Sequence, residues 1–140
     1  MGDKLAKRGL DSLNSINILK GDDRYTKGIE YLEQAVEHYI RADADQEAAD
    51  TALKLAEGYE THLYNRGKGN AHEMSKYWEL AGDCVDDFNE RKSIECYHKC
   101  AYYQKTNNNF QSAAKTYHLI AQLEQKRDHM NEALEVCFFF

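Results

Sequence analysis

A spacing recurs six times along this chain: a small or apolar residue, a bulky one four positions on, and an apolar one three beyond that. The sets are Gly28/Leu32/Ala35, Ala49/Leu53/Ala56, Met74/Trp78/Ala81, Ser93/Tyr97/Cys100, Ala113/Tyr117/Ile120 and Ala133/Cys137/Phe140. Offsets of four and seven put three side chains on one helical face, and small residues at the stripe ends let a neighbouring helix come close. Each stripe therefore predicts one packed helix. Successive stripes start 21, 25, 19, 20 and 20 residues apart. A helix with its turn then takes about 20 residues and a helical hairpin about 40, the range of all-α solenoids. The fold class expected is all-α, a right-handed solenoid of antiparallel helical hairpins, with Trp78, Tyr97 and Tyr117 between helix layers.

Composition bounds the rest. A chain of 140 residues suits a single helical-repeat domain. Residues 1–24 hold a first helix and an apolar loop, and residues 25–140 hold the hairpin repeats. There is no proline, so turns must come from glycine, asparagine and aspartate, at Gly21 to Asp23, Asp43 to Asp45, Gly67 to Asn70, Asn107 to Asn109, and Asp128. Twenty-four acidic against 18 basic residues leave a net charge of −6, and no basic face of the kind nucleic acid requires is evident. No apolar run is long enough to span a bilayer and no signal peptide opens the chain, which reads as cytoplasmic. Cys84, Cys96, Cys100 and Cys137 fall inside predicted helices as small core residues. Cys96 and Cys100 sit near His98, but no second ligand pair follows at zinc spacing, and neither metal nor cofactor is expected.

Seven helices can be laid out: from Asp3 into the Leu13 to Leu19 region, Tyr25 to Ala42, Gln46 to Tyr64, Asn70 to Phe88, Arg91 to Thr106, Phe110 to Lys126, and one starting near Asp128. Asp43 or Asp45 is the expected N-cap of the third, and Asn70 with Glu73 a capping pair for the fourth. Gly67-Lys68-Gly69 invites comparison with a phosphate-cradling loop, yet it follows a helix and lacks the Walker spacing, so a hairpin loop is the better reading. The chain closes on Phe138, Phe139 and Phe140, an apolar end where a solenoid would present a polar face. Cys137 to Phe140 has the shape of a prenylation box, but aromatic middle positions and an acidic upstream stretch argue against lipidation.

The segments SIECYHKCAYYQKTNNNF, MSKYWELAGDCVDDF and QSAAKTYHLIAQLEQKRDHMNEAL resemble successive helices of the soluble NSF attachment proteins, the SNAP adaptors of membrane fusion. Ala113-Ala114-Lys115 and Leu80-Ala81-Gly82 match in register over residues 25–136. The resemblance implies a twisted, tetratricopeptide-like sheet of helical hairpins that does no chemistry. Several copies of such an adaptor wrap a four-helix SNARE bundle and recruit the hexameric ATPase NSF, while an apolar loop after the first helix touches the membrane. It implies SNARE contacts at Lys115 and, one helix earlier, Lys99. It also implies a weak membrane contact at Ile16, Ile18 and Leu19, where the family's phenylalanines are missing. Asn109 stands where the family tends to have arginine, and Asp86 and Asp87 where it has lysines, which should weaken docking on an acidic bundle. The chain spans about the N-terminal half of a typical member, so the ATPase-contacting region is expected to lie beyond Phe140.

Each of these residues also has a plainer reading: Lys115 and Lys99 on solvated helix faces, and the aliphatic residues packing the first helix on the second. Two functions follow, an adaptor for SNARE complexes peripheral to membranes, and a generic scaffold binding a peptide in its groove. A carboxylate-clamp form of the second needs inward lysine and asparagine at fixed helix positions, whereas the inward stripes are apolar. An enzyme is the weakest class, because His98, His118 and His129 have no paired acid or nucleophile.

Overall fold

The computed structural model describes residues 1–14 and 23–139. Among them lie six α-helices, α1 (Gly2–Asn14), α2 (Asp23–Arg41), α3 (Asp45–His62), α4 (Ala71–Val85), α5 (Glu90–Thr106) and α6 (Phe110–Phe139), and no strand. A 3-10 turn, Tyr64–Arg66, follows α3. Each helix packs on the next in sequence. The links after α2, α4 and α5 are three or four residues long, the connection of antiparallel helical neighbours. No helix among the described residues is long and apolar enough to cross a membrane. Ile16, Ile18 and Leu19 lie outside the described residues.

The stripes make the core. Leu32, Ala35, Ala56, Met74, Ala81, Ser93 and Cys100 are fully buried, and Trp78 is only 2% exposed. Next to the third stripe a glycine brings two helices together. A Cβ on Gly82 would stand 2.7 Å from the Tyr97 ring, so only glycine lets α5 lie this close to α4. There Ser93 Oγ donates to the Gly82 carbonyl at 2.9 Å.

Tyrosine hydroxyls then cross between helices to carboxylates. Tyr39 of α2 donates to Asp3 of α1 at 2.5 Å, Tyr97 of α5 to Asp83 of α4 at 2.5 Å, and Tyr77 of α4 to Glu33 of α2. An apolar ring fills the interface while its polar tip finds an ionised acceptor, the stronger kind of hydrogen bond.

Three of the turns obey one rule. Asp43, Gly67 and Asn108 have φ of 55°, 76° and 58°, the left-handed region. Each lets the following residue bond back five positions: Ala44 N–H to Tyr39 O at 2.9 Å, Lys68 N–H to Leu63 O at 2.9 Å, and Asn109 N–H to Gln104 O at 2.8 Å. This is the Schellman closure, which suits glycine and asparagine. Asparagine opens the next helix in three places. Asn70 accepts from Glu73 N–H at 2.8 Å, Asn89 from Lys92 N–H at 3.1 Å and Asn109 from Ser112 N–H at 3.4 Å. Asn109, which stands where the resembling family has arginine, therefore serves as a cap. The Gly67 to Asn70 loop is a closed hairpin turn, its Asn70 N–H donated to Tyr59 Oη at 3.1 Å.

Three expectations are corrected. The cap of α3 is neither Asp43 nor Asp45 but Ala44, without a side-chain bond, because Asp43 is committed to the left-handed closure of α2. The sixth and seventh helices are one, since no glycine or proline interrupts residues 110–139 and one aspartate at 128 does not stop a helix of good formers. Tyr117 does not lie between layers. It is 38% exposed at the rim of α5, against His98 and Lys105, while Ala113 and Ile120 take the buried contact. Beyond Arg127 every described side chain of α6 is exposed, Ala133 and Cys137 among them, so the sixth stripe has no partner helix here.

Asp43 carries strain that glycine would relieve. Asp43→Gly is expected to stabilise the fold by about 0.5 kcal/mol, and Asn108→Val to destabilise it by about 1–2 kcal/mol, both read as shifts in urea midpoint at unchanged slope.

Candidate interaction surface

Position 60 continues the Ala49/Leu53/Ala56 stripe by four more residues, and a glutamate stands there. On the apolar stripe of α3 it must be partnered, and three donors from two other helices reach it. Trp78 Nε1 of α4 donates to Oε2 at 3.3 Å, Tyr103 Oη of α5 to the same oxygen at 2.7 Å, and Lys99 Nζ of α5 to Oε1 at 3.1 Å. Lys99 also lies over the indole, 4.4 Å from its centroid, in cation–π geometry. Tyr64 of the 3-10 turn closes the group edge-on to Tyr103, with ring centroids 5.0 Å apart.

Lys99 is therefore half-exposed with its charge already met by a carboxylate, whereas Lys115 on α6 is exposed and has no ion pair among the described residues. The two lysines share no partner. Lys99 turns toward α3 and α4, while His98, Gln104 and Lys105 form the flank of α5 that meets Tyr117 and Thr116 of α6. Asp86 lies directly after α4 and is half-buried, and Asp87 is exposed.

Cys96 and Cys100 are buried, and burial pushes their thiols up to about 11 and about 12, so they are neutral, poor metal ligands. Among the described residues no group of three or more histidine, cysteine, aspartate or glutamate side chains is placed to hold a metal. His98, His118 and His129 are exposed. A half-buried histidine that the apolar stripes concealed lies where the end of α3 meets the start of α2. His62 stacks on Tyr25 at 4.7 Å, its Nδ1 buried without a partner, and burial and the nearby Arg66 and Arg24 hold its pKa below the ordinary value.

The arrangement around Glu60 makes two expectations quantitative. Glu60→Leu strands the buried Trp78 N–H and Tyr103 O–H, and is expected to cost about 3 kcal/mol in urea unfolding, while Lys99→Met should cost under about 1 kcal/mol because that pair is half solvated. Alkali acts through the tyrosines. Burial, then Asp3, lifts Tyr39 to about 12, and burial with a bonded carboxylate also raises Tyr77, Tyr97 and Tyr103. Neutral phenols are favoured by the fold, so this stability is complete below the unfolded pKa near 10 and is lost as pH rises toward about 12. Tyrosinate absorbance and helix content are expected to change together across that window, and a drop in helix content well below pH 10 would contradict it.

No curated protein and no solved structure matches the chain. The family model described as Soluble NSF attachment protein, SNAP, matches residues 9–139. That span takes in every helix described above, from the middle of α1 to the end of α6, and the chain therefore belongs to the soluble NSF attachment protein family.

Proposed function

We propose that this protein is a non-enzymatic adaptor that docks on an assembled SNARE bundle for disassembly by an NSF-type ATPase. The observation that carries the reading is the family match over residues 9–139. The helices of residues 25–140 stack in this reading as a right-handed, tetratricopeptide-like solenoid. The packing of each helix on its successor supports it, as do the second-neighbour bonds from Tyr77 to Glu33 and from Tyr103 to Glu60.

Lys115 is the leading SNARE contact, supported by its exposure and its freedom from any ion pair among the described residues. Lys99 contributes less, because a partner's carboxylate must compete with Glu60, already at 3.1 Å. With few positive charges engaged and a net charge of −6, association should be weak and steeply salt-dependent.

A pull-down or anisotropy titration with an assembled SNARE bundle tests this. Lys115→Glu is expected to weaken binding about tenfold, and Lys99→Glu less. A Lys115→Glu variant that binds as well as the parent would replace this reading with the generic scaffold.

A further inference from the structure

The face shared by α2 and α4 carries a groove of about 520 Å³ that continues into a second hollow of about 340 Å³. Its floor is apolar: Val36 and Ile40 of α2, one helical turn apart, face Leu80 of α4. Ile40 is 47% exposed, a large aliphatic side chain left in water beside a cavity. The rim has the opposite character. Glu37, Glu79 and Asp83 line the first hollow, and Asp45, Asp83 and Asp87 the second.

Almost nothing neutralises that rim. Among the described residues Lys76 is the single basic residue lining either hollow, and it reaches out to Glu73 at 3.9 Å. Arg41 meets Glu37 at 3.9 Å with both side chains largely in solvent. Burial, and then the neighbouring Asp83, hold the Glu79 carboxyl above its ordinary pKa. Carboxylates on both sides of an apolar trough repel acidic partners and nucleic acid, and favour a ligand that brings cations to the rim and an apolar edge to the floor. A trough between two helices with anchors one turn apart is the shape that receives an amphipathic helix.

We propose that the α2/α4 groove is a docking site for a basic amphipathic helix, its apolar edge on Ile40 and Leu80 and its lysines or arginines on Glu37, Glu79 and Asp87. The site is independent of SNARE docking through Lys115, which lies on α6. Each can fail without the other.

The probe is a fluorescein-labelled peptide of leucine and lysine, about fourteen residues or roughly four turns, with a leucine and glutamate peptide of the same pattern as its counterpart. Anisotropy with the full chain is expected to show binding of the lysine peptide alone, weakening steeply with salt. Neutralising the groove by Glu37→Gln, Glu79→Gln and Asp87→Asn together should weaken it about tenfold, and Ile40→Ser roughly threefold. Glu79→Lys alone should also weaken it severalfold, which keeps the test decisive if the triple variant loses helix content. Neutralising Glu124, Glu132 and Glu135 of α6 changes net charge equally and should leave affinity within about twofold. Equal losses from both triple variants, full binding by Ile40→Ser, or no binding of the lysine peptide by the parent would each overturn the proposal.

Discussion

Glu60 is the point at which α3, α4 and α5 are fastened together. A carboxylate on an apolar helical stripe is costly to bury alone, and this one is tolerated because its two oxygens take an indole N–H, a phenol O–H and an ammonium from the two following helices. The dependence is mutual. Trp78 and Tyr103 supply much of the apolar mass between these helices, and neither can bury its polar tip without an acceptor. Tyr39 with Asp3, Tyr77 with Glu33 and Tyr97 with Asp83 repeat the device between α1 and α2, α2 and α4, and α4 and α5. The stack is thus an apolar one whose register is set by directional bonds to charged acceptors, which a purely aliphatic stripe would leave free to slide.

The same economy shapes the surface. Carboxylates spent on tyrosines are partly withdrawn from solvent, Lys99 is held by Glu60, and what remains exposed is uneven. The α2/α4 face is acidic around an apolar floor, and α6 carries Lys115, exposed and without an ion pair among the described residues. Under the proposed adaptor role, such distinct faces would choose partners by charge sign and groove shape.

Most of the fold was legible because its causes are local. Four stripes pack as their spacing requires, the fifth packs through Ala113 and Ile120 alone, and the asparagine cap at position 70 follows from residue type and position. The failures are equally physical. Asp43 serves both as a candidate cap and as a left-handed terminator, and only the backbone shows which role holds. The break near Asp128 was inferred from a stripe restarting, yet a stripe reports a face, and without glycine or proline the helix runs on. Glu60 was detectable as a charge in phase with apolar residues, but its donors lie 18, 39 and 43 residues away. The α2/α4 groove joins residues about as distant, so it exists only once the helices are placed.

Zero-length carbodiimide crosslinking of the chain with an assembled SNARE bundle reads lysine–carboxylate pairs directly, both within the chain and across to its partner. The account requires an internal Lys99–Glu60 link, from the 3.1 Å ion pair, together with links from Lys115 to carboxylates of the bundle. Links to the bundle that arise from other lysines while Lys115 stays unreacted would contradict it.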